Sequence, residues 1–595
     1  MKQNRFLPVS KRDLEILGWK ELDVILITGD AYVDHPSYGA ALLGRMLEAS
    51  GFKVGVIAQP DWHRLDDFKE LGRPRLFFGI TAGNLDSMVA NYSANKKLRR
   101  EDEYSPGGLS GRRPDRATIV YSNRAQEAFS GVPVIIGGME ASMRRLAHYD
   151  YWSEKVRRSM LLDSKADILV YGMAERQILE IAKRLDAGEA VSSLEGIRGT
   201  VIARNDLSSA QDAVEIPSFE EAAEDVDKFS EAFKKTYLES DPIHGKPIAQ
   251  RHDKRYAIQF PPAMPLTTAE LDRIYELPYR RNWHPKYDDK GGVSGFETVR
   301  FSITSHRGCA GSCNFCSLYL HQGRIIQSRS IDSILSEIRA VSAQPDFKGT
   351  ITDIGGPTAN LYKAECERWR ADGACKGKSC LVPAKCRNLK LGYADAVKLW
   401  NAAKKIERVK HLFVGSGLRY DLLNDDAADI YLNALCESHI SGQLKVAPEH
   451  TENNVLRLMN KPSFGGYEKF AAKFDRINKA KRKEQYLVNY IISGHPGARL
   501  EDALKLSLNL MKMRVYPEQI QDFIPLPMTA SGCMFHTEKD PFTGDKIFVA
   551  KTVRERKMQR ALVQYKSAGN KKYVLEALRT LDRLDLKRLF FNFRH

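Results

Sequence analysis

Short apolar runs, each closed by glycine or a polar turn, recur through the first third of the chain. Leu22-Asp-Val-Ile-Leu-Ile-Thr28 ends in Gly29-Asp30, and the form returns at 53–58, 76–80, 132–136 and 168–171. Runs that are apolar at nearly every position, rather than at alternate ones, predict parallel strands buried on both faces. Between the first two, residues 38–50 carry Leu42, Leu43, Met46 and Leu47 at helical spacing and stop at Gly51, a favourable residue just past a helix end. Strand, glycine and helix in alternation predict an open, doubly wound α/β sheet over residues 1–210. Gly137-Gly138-Met-Glu-Ala-Ser142 falls where such sheets bind ligands, beyond the carboxyl end of a strand. Residues 96–116, rich in Arg, Gly, Ser and Pro, read as a long exposed loop. Residues 211–295 are polar and proline-marked and read as helices and connector, with 278–285 reaching toward the segment that follows.

The pattern changes near residue 296. Six strand candidates follow, at 299–304, 349–354, 411–414, 444–447, 486–492 and 520–524, separated by stretches of helical periodicity. Ser330 is placed to cap a helix whose apolar face is Ile331, Ile334, Leu335, Ile338 and Val341. Parallel strands joined by helices close into a barrel or partial barrel, with ligands at their carboxyl ends. This predicts a (βα)6 barrel over 296–530, with an insert at 363–390 and a basic extension at 531–595.

The chain has 595 residues, enough for two or three domains, and its 43% hydrophobic and 28% charged residues fit a soluble globular protein. No apolar run reaches the roughly 18 residues that span a bilayer. The first ten residues lack the apolar core of a secretory signal, so the expected location is the cytoplasm. Thiols stay reduced there. Seven of the nine cysteines lie between residues 309 and 386, which points to metal ligation rather than disulfides. The net charge is +16, and residues 551–595 hold 13 Lys and Arg against 4 Asp and Glu, a net of +9. Such a tail either attracts RNA or an acidic partner or forms a solvated helical face. Arg144, Arg145, Arg157 and Arg158, near His148-Tyr-Asp-Tyr-Trp152, either hold a nucleic acid or phosphate or make a domain contact.

Cys309, Cys313 and Cys316 follow the first barrel strand, with three and then two residues between them. Glycine and serine in the gaps let the loop curl and aim three sulfurs at one point. Three thiolates suit an iron–sulfur cluster better than a structural zinc, which takes a fourth protein ligand. A 4Fe–4S cluster with three protein ligands keeps one iron open to another molecule. Further loops fall at successive strand ends: Gly355-Gly356-Pro357-Thr358, Gly415-Ser416-Gly417-Leu418-Arg419, then Lys445, Glu449 and His450, then Gly494-His-Pro-Gly497. Two adjacent glycines let backbone approach a ligand closely, Ser416 can bond a ribose hydroxyl, and Arg419 can pair with a carboxylate.

The CxxxCxxC spacing, with Phe315 before the third cysteine, resembles the signature of the radical S-adenosylmethionine (SAM) superfamily. With Asp30-Ala-Tyr-Val-Asp-His-Pro-Ser-Tyr-Gly39 and Asp353-Ile-Gly-Gly-Pro-Thr-Ala-Asn360, the text over most of residues 20–545 resembles the YgiQ family of radical SAM proteins. That resemblance implies a 4Fe–4S cluster on Cys309, Cys313 and Cys316, with SAM on its open iron. It further implies reductive cleavage of SAM to a 5′-deoxyadenosyl radical for C–H activation, and a one-electron donor such as flavodoxin or ferredoxin. It identifies neither the substrate nor catalytic residues beyond the cofactor ligands. Gly355-Gly356-Pro357 resembles the superfamily's glycine-glycine-glutamate motif, with proline where glutamate is usual, leaving backbone carbonyls as acceptors for the SAM amino group. Gly355, Gly356, Ser416 and Arg419 are thus the expected SAM contacts. The first half resembles cobalamin-binding domains but departs from their Asp-x-His-x-x-Gly motif. Asp34 and His35 are adjacent and Gly39 follows four residues after His35, so a cobalamin-like fold without cobalamin is expected.

Cys366, Cys375, Cys380 and Cys386 form a second group, with eight, four and five residues between them. Four thiols suffice for zinc or an auxiliary cluster, and independent cysteines are the alternative. Cys436 and Cys533 stand apart, as a core and a loop residue. The alternative to an enzyme is an RNA-binding protein stabilised by an iron–sulfur cluster or zinc, without radical chemistry.

Overall fold

A computed structural model describes residues 5–517 and 520–591. The chain divides into two compact units. The first comprises 1–303, 320–344 and 368–377, the second 304–319, 345–367 and 378–595.

The first unit is organised on a nine-stranded sheet. Five strands, in the order Val54–Ala58, Val24–Thr28, Phe77–Thr81, Val134–Gly137 and Ile168–Val170, run parallel. They coincide with the five apolar runs. All five residues of Val24–Thr28 are buried, as expected for a central strand covered on both faces. The helix Gly39–Ala49 ends before Gly51, which has φ of +97°. From Val24–Thr28 the chain passes to Val54–Ala58 on one side and then to Phe77–Thr81 on the other. The topological switch point therefore lies between Val24–Thr28 and Phe77–Thr81.

Two readings of this half are corrected. Residues 211–295 are not only helix and connector: Ile248–His252 and Arg255–Gln259 form an antiparallel hairpin, and both join the large sheet beside Thr200–Arg204 together with Val214–Ile216. Buried Gln250 and Gln259 interrupt the apolar pattern. Gln250 donates to Pro217 O and accepts from the Ala147 N–H, and Gln259 accepts from Arg145. Nor is 96–116 simply an exposed loop. Asp102, Ser105 and Arg113 are buried, and Arg113 bridges Asp30 and Asp102 at the carboxyl ends of the central strands.

In the second unit the remaining strands appear in the expected order. Thr350–Ile351 pairs in parallel with His411–Leu412, Leu418 bridges Val446, Gln443–Glu449 pairs with Tyr486–Ser493, and the latter with Gln521–Asp522. At the start of the arc the Ser305 N–H donates to Gly355 O at 2.7 Å. Successive parallel pairings make this an open partial barrel. The basic extension is folded: Val553–Val563 and Lys571–Thr580 bury Met558, Ala561, Leu562, Val574, Ala577 and Leu578 in one cluster with Ala503 and Leu504 of the helix Leu500–Lys512. Its last four residues, 592–595, lie outside the described residues. No helix among the described residues is long and apolar enough to cross a membrane.

Candidate functional site

The cysteine loop is pinned at both shoulders. Asn314 ties the loop to the end of the helix Asn453–Leu458: its N–H donates to Met459 O at 3.0 Å and its side chain to Leu458 O at 2.9 Å. Asn460 donates to Ser312 O at 2.7 Å, and the Ser531 N–H donates to Asn314 O at 2.9 Å. Ser312 holds a φ of +48°, so the chain turns sharply between the first two cysteines. Gly311 lies between them because a side chain there would come within 3.3 Å of Cys309 Sγ and 3.1 Å of the Arg419 guanidinium.

Two of the thiols are displaced by burial and by their neighbours. Burial, then Cys313, raises the Cys309 thiol, and burial with Cys313 and Cys309 pushes Cys316 up to about 12. Three neighbouring thiolates therefore need a cationic partner. Arg419 supplies part of it, with Nη1 3.6 Å from Cys313 Sγ. Its other nitrogens clamp Asp421 at 2.9 and 2.8 Å, and its backbone exchanges two hydrogen bonds with Asn360. The fork of Arg419 is thus occupied by Asp421 and Cys313 rather than left for a ligand carboxylate.

The glycine pair and Ser416 are also brought to this end of the strands, each already engaged. The Gly355 carbonyl accepts from Ser305 N and Oγ, which leaves the Gly356 carbonyl for a ligand. Side chains at either glycine would collide, at Gly355 with Ser416 and at Gly356 with the His306 ring. Ser416 donates its hydroxyl hydrogen to Asp353, whose other oxygen accepts from the Gly415 and Ser416 N–H groups. Toward a ligand Ser416 can then only accept. His306, next to Ser305 and Thr358 O, is held neutral by burial, its pKa lowered to about 4.

Two groups gain prominence. Glu449, at the end of Gln443–Glu449, is buried with φ of +65°, and its Oε2 has no hydrogen-bond partner. Burial raises it to about 7, against the pull of Lys461 and Arg419. Lys461, missed in the sequence, is 5% exposed and makes no ion pair among the described residues; its ammonium lies 5.8 Å over the Tyr420 ring. Its only sequence signal was a lysine in an Asn-Lys-Pro turn. Of the other flanking residues, His450 accepts from the Glu452 N–H, and His495 contacts Ser531 Oγ at 2.7 Å.

The second cysteine group has members in both units. Cys375 belongs to the first unit and Cys366, Cys380 and Cys386 to the second. Cys366 sits in a two-residue strand paired with Leu389–Lys390, and the Cys386 N–H donates to Cys380 O. Among the described residues no three His, Cys, Asp or Glu side chains converge where one metal ion could sit. A four-iron cluster takes one thiolate per iron, so its ligands need not converge in that way. Cys436 and Cys533 are both buried, the latter in the helix Ala530–Thr537 rather than in a loop.

In the first unit the expected ligand positions are internally matched. His35 is buried, with the Ser37 N–H on Nδ1 at 3.2 Å and Arg281 3.3 Å from Nε2, and Asp34 is ion-paired with Arg45. Arg144 pairs with Asp86 and Arg145 bonds Gln259, both buried, while Arg157 and Arg158 share Asp163. These four arginines therefore do not form an open basic surface. A cobalamin would have to lie at the switch point, where Arg113, Asp102 and Ser105 of this chain are packed; the residues present do not fit that group.

A family model described as Radical SAM N-terminal matches residues 6–302, and one described as a domain of unknown function (DUF3362) matches 518–588. A UPF0313 protein of Methanocella arvoryzae is 50% identical over 578 residues, 97% of this chain and 96% of its own length. UPF0313 proteins of Clostridium botulinum (strain Loch Maree / Type A3) and Methanosarcina mazei are each 49% identical, over 98% and 97% of this chain and 91% and 97% of their own. Among solved structures, the radical SAM methyltransferase TsrM from Kitasatospora setae, with tryptophan substrate and a SAM analog bound, is 15% identical with a TM-score of 0.48, covering 86% of this chain and 76% of that one. The cobalamin-dependent SAM radical enzyme OxsB, with aqua-cobalamin bound, is 10% identical with a TM-score of 0.49, covering 96% and 73%.

Proposed function

From the premise that the chain belongs to the UPF0313 (YgiQ) family of radical SAM proteins, we propose that Cys309, Cys313 and Cys316 hold a 4Fe–4S cluster at which SAM is bound and cleaved. The observation that carries this reading is three cysteines on one pinned loop at the carboxyl end of a parallel strand arc, the Cys309 and Cys316 thiols raised by burial and by their neighbours, with Arg419 against Cys313. An iron–sulfide core supplies the positive charge that keeps such thiols deprotonated. Bound and reduced, it would supply the electron that breaks a carbon–sulfur bond of SAM, giving methionine and a 5′-deoxyadenosyl radical.

The protein's own part is binding, orientation and exclusion of water. Arg419, fixed by Asp421, holds its charge beside Cys313 without reorganising. Glu449 and Lys461 are buried groups of opposite sign that make no ion pair with each other, and the ammonium and carboxylate of an amino acid would satisfy them. The Gly356 carbonyl and the Ser416 oxygen add two acceptors. The substrate of the radical stays outside this reading, as does the source of the electron, for which a flavodoxin or ferredoxin is the expected class.

The test is anaerobic reconstitution with iron and sulfide, reduction with dithionite and addition of SAM. Formation of 5′-deoxyadenosine and methionine in equal amounts supports the reading. A full cluster beside intact SAM overturns it and favours the structural-cluster alternative.

A further inference from the structure

The opposite end of the barrel carries a second concavity. A cavity of about 420 Å³ opens at the amino ends of the third, fourth and fifth strands, lined by Lys404, Lys410, His411, Phe413 and Lys483, with Glu437 and Glu484 among the other residues. The fourth strand, Gln443–Glu449, spans seven residues, so this cavity lies roughly 20 Å from the ligand end of the same strand. It is a separate site.

Its charges are available. Lys404, Lys410 and Lys483 are exposed and make no ion pair among the described residues. Glu437 is already matched by Lys481 at 3.0 Å. Around it the segments 404–410 and 481–484 hold Lys404, Lys405, Arg408, Lys410, Lys481, Arg482 and Lys483 against Glu407 and Glu484.

Aromatic faces lie among these cations. The rings of exposed His411 and half-buried Phe413 are parallel within 5°, centroids 5.9 Å apart, as residues two apart on one face of a strand can be. Tyr486, which opens the fifth strand next to the lining residue Gln485, is 65% exposed. A large aromatic left in water three residues from exposed Lys483 buries little for the fold. Stacking faces interleaved with cations are what a nucleotide meets: phosphate on lysine, base on ring.

We infer that this cavity binds nucleotide units of a single-stranded nucleic acid, with Lys404, Lys410 and Lys483 on phosphates and His411 and Tyr486 on bases. It holds a polyanion by its backbone, away from the cysteine loop. The inference is independent of the cluster and fails separately from it.

The test measures binding of a labelled oligouridylate of roughly 12 nucleotides to the full chain by fluorescence anisotropy across a salt series. Lys404→Glu/Lys410→Glu/Lys483→Glu should weaken binding at least about tenfold and flatten the salt dependence by about 2, from a slope near 0.7 per phosphate contact. His411→Ala/Tyr486→Ala should weaken binding about tenfold with the slope unchanged. Uridine monophosphate competing as tightly as the oligomer would keep the pocket but identify its occupant as a free nucleotide, overturning the strand. Binding by the triple variant equal to that of the unaltered protein would overturn the site itself. So would an equal loss on reversing three lysines of the first unit, Lys69→Glu/Lys165→Glu/Lys183→Glu.

Discussion

The two units present the same architectural opportunity, the carboxyl ends of parallel strands, and treat it in opposite ways. In the first, the switch point is packed by the chain itself: Arg113 lies between Asp30 and Asp102, Asp102 accepts from Ser105, and Gln59 ties Ser105 to Gly29 O. In the second, the strand ends gather three cysteines, with Cys309 and Cys316 raised by burial and by their neighbours, and a buried carboxylate, Glu449, that makes no ion pair among the described residues. Charges matched within the chain do structural work, because a buried ion with its counter-ion has no need of a ligand. Charges buried without a match cost stability unless something else binds them. The difference separates strand ends closed by the chain's own ion pairs from strand ends that keep buried charge without one.

The largest break in this comparison is Arg113→Ala. It strands two buried aspartates and should destabilise the first unit by about 3–5 kcal/mol. Hydrogen exchange in the full chain checks it: protection should fall at Val24–Thr28 and stay unchanged at Gln443–Glu449. Loss at both would mean the units do not behave separately.

A second test uses pH. Burial, opposed by Arg113, raises Asp30 to about 6 from 3.8. A raised carboxyl favours the folded state below the unfolded pKa, and that contribution disappears as pH rises through the folded value. Stability of the first unit should therefore decline between about pH 4 and pH 6, by up to about 3 kcal/mol for a shift of this size. Urea unfolding of Asp30→Asn should lack that decline; an identical slope in the variant would assign the titration elsewhere.

The smallest effect sharpens the other side. Lys461→Met removes the unmatched cation and should weaken SAM binding to the reconstituted protein by about 1.5–3 kcal/mol, read by equilibrium dialysis. The same substitution should leave thermal stability unchanged or improved. Unaltered affinity would move the ligand away from Glu449 and Lys461.

Much of this was legible in the sequence, for identifiable reasons. The five parallel strands and the barrel strands declare themselves because continuous apolar runs have few other uses. The cysteine trio stands out because its three thiols fall within eight residues. The hairpin 248–259 was hidden by Gln250 and Gln259, whose amides satisfy distant backbone and side-chain groups. Arg113 was read as exposed because composition cannot show that Asp30, 83 residues earlier, will bury it. The same limit explains Arg419, expected on a ligand and found on Asp421, and Lys461, whose isolation is a property of its surroundings alone.

The central claim is that the cysteine loop holds a cluster that cleaves SAM. It is tested most directly by one parallel measurement of 5′-deoxyadenosine formed in a single turnover by reduced, reconstituted protein and by Cys313→Ala. The account predicts product from the first and background from the second, with both proteins folded, because the cysteine lies on a loop outside the core. Equal product from both would contradict it.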